Sequence, residues 1–250
     1  MNCLDFLIKN KMKIYKNIKE HPRKFDEREK RRAVVIGGTG ATGRQVIKKL
    51  LDSNSWDKVT SIGRKPVLKG NSHTKLNDVL INSLNEMDSI VDEFSGHDHF
   101  FNCIGTTRKR AGSAMEFINI EYEISKLAAL LASKSNIPHG SVISAGGANH
   151  NQWSHNSIHP LLYIKTMGLK EQTLIDSSFN MVSIFRPGML IRQLDDSGIF
   201  EKFIESIGSG LKVEFLADAM IRDAMCKKND SKEVPIIYLG NKCIKDSISL

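Results

Sequence analysis

The chain lacks the features that mark membrane-spanning, secreted or metal-stapled proteins. No apolar run approaches the roughly 18 residues that a membrane helix needs, so no membrane span is expected. Its four cysteines (Cys3, Cys103, Cys226, Cys243) are scattered and form no CxxC pair. That excludes a disulfide framework or a zinc ribbon and predicts reduced thiols in a reducing compartment. No secretory leader is legible at the N-terminus. A mitochondrial leader is disfavoured by five acidic residues, Asp5, Glu20, Asp26, Glu27 and Glu29. Internal repeats and low-complexity tracts are missing too. So is a basic stripe interleaved with aromatics, which argues against nucleic acid as a partner despite a net charge of +8. Residues 1–32 hold eleven Lys/Arg against five Asp/Glu and so contribute +6 of that charge. Residues 1–31 read as a basic, solvated and partly disordered extension, and residues 32–250 as one domain.

The domain is built from alternating patterns. Short β-favouring runs occur at 33–37 (AVVIG), 59–63 (VTSIG), 99–104 (HFFNCI), 141–144 (SVIS) and 180–185 (NMVSIF), with a last one at 235–239. Between them, apolar residues recur at helical spacing. Val46, Ile47, Leu50 and Leu51 predict a helix over 42–52, and Phe117, Ile120, Ile124, Leu127 and Leu131 predict a long one. Further helices are expected at 161–177, 200–207 and 213–226. Strands separated by helices imply a Rossmann-type α/β fold, a doubly wound parallel sheet covered on both faces.

The first strand runs into Gly37-Gly38-Thr39-Gly40-Ala41-Thr42-Gly43, with glycines spaced G-x-x-G-x-x-G between strand and helix. Gly37 permits a tight turn, Gly40 lets backbone approach a pyrophosphate, and Gly43 lets the helix pack on its strand. Helix amides then face the phosphates. About 20 residues on, an NAD site places a carboxylate for the ribose hydroxyl. This chain has Arg64 and Lys65 there, cations that attract a 2′-phosphate and so favour NADPH. A solvated basic turn is the alternative reading of that pair.

Taken together, VVIGGTGATGR (34–44), KVTSIGRKP (58–66), FSGHDHFFNCIGTTR (94–108), SIFRPGML (183–190) and LGNKCI (239–244) give the chain a family likeness. It resembles the atypical short-chain dehydrogenase/reductases, specifically the Tat-interacting-protein oxidoreductase group, from about Arg32 onward. The resemblance implies a monomeric or loosely associated NADPH-binding oxidoreductase of the cytoplasm and nuclear envelope, with fungal relatives at mitochondria. It also implies cofactor contacts at Thr39 to Thr42, Arg64, Lys65, Ile104, Gly105, Tyr163 and Leu190.

Enzymes of this superfamily use a serine, a tyrosine and a lysine four residues after the tyrosine. By the resemblance, Tyr163 takes the tyrosine position and Ser144 the serine position, but position 167 is methionine. Lowering a tyrosine from its ordinary value near 10 to about 7 requires roughly 4 kcal/mol of stabilisation, and methionine supplies no charge for it. Lys165, two residues on, falls on nearly the opposite helix face, and Lys170, seven on, lies about 10 Å along the axis. A phenol can still donate a proton as a carbonyl is reduced. His150, His155 and His159 lack carboxylate or cysteine partners at useful spacing and read as a polar loop rather than a metal site. Arg108-Lys109-Arg110 falls near the expected mouth of the site, either to receive an acidic substrate or partner or as a solvated loop. Two functions lead, a weak NADPH-dependent reductase of a small carbonyl substrate or a catalytically impaired NADPH-binding protein that serves a protein partner; a third, a nucleic-acid or membrane-surface binder, rests on the basic extension alone.

Overall fold

The computed structural model describes residues 12–26, 30–68, 70, 72–191, 210–227 and 231–249. Eight parallel strands form one sheet among these residues: β1 (Lys13–Tyr15), β2 (Arg31–Ile36), β3 (Trp56–Gly63), β4 (Leu76–Leu80), β5 (His99–Asn102), β6 (His139–Ile143), β7 (Met181–Arg186) and β10 (Ile236–Leu239). Their spatial order is β1-β10-β7-β6-β5-β2-β3-β4. Strands β8 (Leu190–Ile191) and β9 (Leu211–Lys212) make a small parallel pair beside it. The order reverses between β2 and β5, and open α/β sheets bind ligands at the strand ends beside such a switch point.

The periodicity that predicts the sheet also explains its two faces. On β2, Ala33 and Val35 point one way and Val34 and Ile36 the other, as a pleated strand requires, and all four are buried. The first face carries α1 (Ala41–Asp52), α6 (Val213–Ala224) and α7 (Asn241–Ser249) through Val46, Leu50, Leu216, Met220 and Ile244. The second packs Ile124, Ala128 and Leu131 of α4 (Ile124–Lys134) and Leu174 and Ile175 of α5 (His159–Asp176) against Val34, Phe100 and Ile184. Among the elements that escape the sequence reading are α7, β4, whose apolar residues do not alternate, and a 3-10 segment at Leu84–Phe94, whose Leu84, Met87, Val91 and Phe94 recur at helical spacing although only Met87 and Phe94 are fully buried. The long helix expected from Phe117 onward is three pieces: α3 (Ala114–Ile118), a π turn (Asn119–Glu123) and α4. A four-residue helix, α2 (Arg108–Ala111), precedes them. The helix expected at 200–207 lies outside the described residues.

The N-terminal extension needs a correction. Residues 12–26 are not a solvated arm, because β1 adds an edge strand to β10 in register Lys13↔Ile236 to Tyr15↔Tyr238. Arg23 is buried, donating to Glu233 at 2.8 Å, Asp223 at 3.0 Å and Ser183 at 2.7 Å. Charge counting treats every arginine as solvated and misses one whose carboxylates come from some 200 residues away. Burial opposes both charges of the Arg23–Asp223 pair and is the largest single influence on each, but the charged and hydrogen-bonding groups around them, each other first, together outweigh it. The Asp223 carboxyl is held well below the usual carboxylate range and the Arg23 guanidinium above its own.

Histidines at the same end of the sheet behave differently. Burial lowers the pKa of His139, whose ring nitrogen lies 2.9 Å from Ser183 Oγ and 3.3 Å from Asp223 Oδ2. Burial lowers His21 and His97 as well. Below about pH 6.5 the unfolded chain takes up these protons while the native protein resists them, so stability is present above that value and lost as pH falls through it. Asp223, held low, stays ionised over that interval. The melting temperature is therefore expected to fall steadily from about pH 7 to about pH 5. A calorimetric profile flat across this interval would contradict the buried neutral histidines.

Candidate dinucleotide and substrate site

The site begins at the turn between β2 and α1. Gly37 has φ +78°, and a Cβ there would stand 2.6 Å from the backbone of Cys103 and Ile104 at the end of β5. At Gly43 a Cβ would stand 2.2 Å from the Gly37 carbonyl oxygen. The glycines therefore serve to bring three backbones together. Gly40 donates its N–H to Gly37 O at 3.0 Å and caps α1 without a side chain. The first-turn amides of α1 have no partner within the helix and face the cleft.

Three adjoining cavities follow the strand ends. One of about 300 Å³ lies between the glycine turn and β3, with Arg64 and Lys65 on its wall. A second, of about 220 Å³, is lined by Thr39 to Thr42, Arg44, Arg110 and Leu190. The third, about 340 Å³, holds Ser144, Tyr163, Met167, Lys170 and Met189. Ile104 and Gly105 border all three. The fold thus gathers the sequence-predicted residues at one cleft: Gly37, Thr39, Gly40, Ala41, Thr42, Arg64, Lys65, Ile104, Gly105, Leu190, Tyr163 and Ser144. Gly43 packs behind the turn. Of the basic triplet, Arg110 reaches the second cavity, carried by α2, whose first turn is capped by Thr107 Oγ1.

The third cavity departs from the expected arrangement. Ser144 donates its hydroxyl proton to Glu171 Oε1, and Glu171 is gripped by Arg186 through two bonds of 2.7 and 2.6 Å. The serine hydroxyl is thereby turned toward a buried carboxylate. Met167 is buried in the cavity wall and offers no donor. Lys170, placed too far along the axis by helix geometry alone, does reach the cavity, because helical side chains lean toward the N-terminus of their helix. Its ammonium donates to Ile104 O at 2.6 Å and to Glu121 Oε2 at 3.0 Å. Lys165 is not among the residues bordering the three cavities.

Sequence reasoning misses Glu121, Glu171, Arg186, Arg44 and the role of Lys170. Arg44 and Arg186 stand inside the motifs that carry the family likeness, a signal that position alone left unread; the two glutamates carry no pattern. The Cys103 thiol, beside the glycine turn, is pushed up to about 12 by burial and is no nucleophile. His159 packs its ring near Phe117 and Tyr163. The one grouping of three metal-ligand types among the described residues is elsewhere, at His21, Asp223 and Cys226. No helix among the described residues is long and apolar enough to cross a membrane.

This turn, sheet and cleft define a dinucleotide-binding Rossmann protein, and comparison with known proteins agrees. A family model described as NAD(P)H-binding matches residues 37–214. The glycine turn, packed closely enough on the end of β5 to set the first turn of α1 beside a cavity with Arg44 and Arg110 on its wall, fits such a nucleotide. Protein HTATIP2 of Rattus norvegicus is 28% identical over 221 residues, covering 82% of this chain and 88% of that protein. Protein FMP52-2, mitochondrial, of Scheffersomyces stipitis is 32% identical over 186 residues, covering 72% and 73%. Among solved structures, a UDP-N-acetylglucosamine 4-epimerase from Methanobrevibacter ruminantium M1 superposes with a TM-score of 0.62 at 18% identity, covering 83% of this chain and 76% of that one. WbmH of Bordetella bronchiseptica in complex with NAD+ gives 0.61 at 17%, covering 84% and 75%. These two likenesses show the fold. The chain belongs to the NAD(P)H-binding family, in the Tat-interacting-protein group of atypical short-chain dehydrogenase/reductases.

The glycine turn gives a direct test. Gly37→Ala puts a Cβ into the Cys103–Ile104 backbone at a positive φ, a conformation that alone costs an alanine about 1–2 kcal/mol. The variant is expected to melt at a lower temperature and to lose saturable nucleotide binding in a fluorescence titration. Wild-type affinity in that variant would show that the turn does not carry the nucleotide.

Proposed function

We propose that the protein binds NADPH and acts as a weak reductase of a small carbonyl substrate, with Tyr163 as the proton donor. The observation that carries this reading is the position of Tyr163 in a cavity walled by Ile104 and Gly105, the same residues that border the two nucleotide cavities. When bound, NADPH supplies the hydride. Tyr163 gives its phenolic proton to the carbonyl oxygen, and the apolar wall of Ile143, Met167, Met189 and Leu190 keeps water from the reacting carbon. Arg64 and Lys65, both exposed, attract the 2′-phosphate, and the second cavity, with Arg44 and Arg110, suits the pyrophosphate.

A second reading is a catalytically impaired NADPH-binding protein that works through a protein partner. Two observations favour it: methionine at position 167, and a serine whose hydroxyl is turned to Glu171. Yeast relatives named as mitochondrial support a mitochondrial location over the cytoplasm.

Paired titrations with NADPH and NADH test the nucleotide assignment. Wild-type protein is expected to prefer NADPH, and Arg64→Ala to reduce that preference about ten-fold, the weight of one charge-assisted hydrogen bond. Equal affinity for the two nucleotides would refute the 2′-phosphate assignment. Stopped-flow consumption of NADPH against a panel of small carbonyls separates the two readings. Slow turnover lost in Tyr163→Phe supports the reductase. Turnover found only after Met167→Lys supports the impaired protein.

A further inference from the structure

Ile104 and Gly105 form the divide at which the three cavities meet, with Thr106 beside them on the wall of the third, yet these three consecutive residues belong to no helix or strand. Side chains hold their backbone instead. Asn102 Oδ1 accepts the Ile104 N–H at 3.2 Å, Lys170 donates to the Ile104 carbonyl at 2.6 Å, and Glu121 Oε1 accepts the Thr106 N–H at 2.6 Å. Lys170 and Glu121 then close on each other at 3.0 Å, both buried. One ion pair thus grips the segment from two sides, across Gly105.

The local fold explains how each partner arrives. Glu121 sits in the π turn between α3 and α4. The wider turn swings this one residue inward, so it is buried while its neighbours Asn119, Ile120 and Tyr122 are only partly so. A π turn inside an α-helix often accompanies a functional site. Lys170 arrives from the face of α5 that also bears Tyr163 and Met167. It is the lysine this helix carries in the cavity, one turn beyond the position where the superfamily's lysine is expected, and its charge is directed to the Ile104 carbonyl and Glu121. A buried ion pair stabilises a fold no better than apolar residues of the same volume. What it adds is fixed placement: a planar carboxylate and an ammonium define where one carbonyl and one amide must lie.

We propose that Lys170 and Glu121 are positioning residues that set the Ile104–Thr106 backbone against the nicotinamide half of the bound nucleotide, a role that rests on the NADPH reading above. The adenosine half is met mainly by the glycine turn and the end of β3, which the pair does not touch. Ile104 and Gly105 also edge the first cavity, but Arg64, Lys65 and the glycine turn lie outside the pair's reach, so loosening the pair weakens the dinucleotide far more than a ligand lacking nicotinamide. A purely structural pair has no such asymmetry.

The test compares NADPH with adenosine 2′,5′-bisphosphate, which carries the phosphates of the adenosine end and no nicotinamide, by titration of the full-length chain. The combined variant Lys170→Met with Glu121→Gln removes both charges together, so neither partner is left as a lone buried ion, and the glutamine amide oxygen can still accept from the Thr106 N–H. It is expected to melt close to wild type, to bind NADPH at least about ten-fold more weakly and to keep its bisphosphate affinity. Lys170→Arg, which retains a donor and the charge, recovers most of the NADPH affinity. Parallel weakening of both ligands, no weakening of either, or failure of the combined variant to fold would each overturn the positioning role. Wild-type protein that binds bisphosphate and NADPH equally overturns it as well. Wild-type protein that binds neither overturns the nucleotide assignment and this inference together.

Discussion

The close approach of two backbones at the switch point underlies everything else in this molecule. The β2–α1 turn meets the end of β5 with no side chain between them, because Gly37 has no Cβ to place against Cys103 and Ile104. That contact brings the start of α1 beside the Ile104–Thr106 segment and leaves an opening on each side of it. The three cavities are consequences of this one meeting, and each further residue of the site takes its place relative to it.

Electrostatics divides the cleft into two regimes. At the glycine turn the cations Arg44, Arg64, Lys65 and Arg110 stand exposed around amides that already favour anions. In the third cavity the two charged residues on the wall, Lys170 and Glu121, neutralise each other, and Arg186 answers Glu171 behind Ser144. The first region is suited to a polyphosphate and the second to a neutral substrate. The same logic operates at the opposite end of the sheet, where Arg23, Asp223 and Glu233 join the N-terminal segment to β7, α6 and the approach to β10. There buried charge holds a chain segment in place and takes no part in the cleft.

The fold class and the nucleotide end of the site were legible in the residues because both rest on local patterns. A continuous apolar strand, glycines at 37, 40 and 43 and an amphipathic helix are contiguous in the chain, and their geometry follows from steric rules acting over a few residues. Arg64 and Lys65 follow a strand whose end is equally local. What escaped was set by distance. Nothing near Glu121 marks it as a partner of Lys170, 49 residues on, and a π turn has no sequence period of its own. Helix geometry misplaced Lys170 because it tracks the axis, while the ammonium lies at the end of a long side chain leaning back along it. The N-terminal segment looked solvated for the same reason. Its charge was visible in the chain, but the carboxylates that bury Arg23 are supplied by residues 223 and 233. Local sterics thus made the glycine turn readable from sequence, whereas the pairing of buried charges was decided only when the folded sheet brought distant residues within hydrogen-bonding distance.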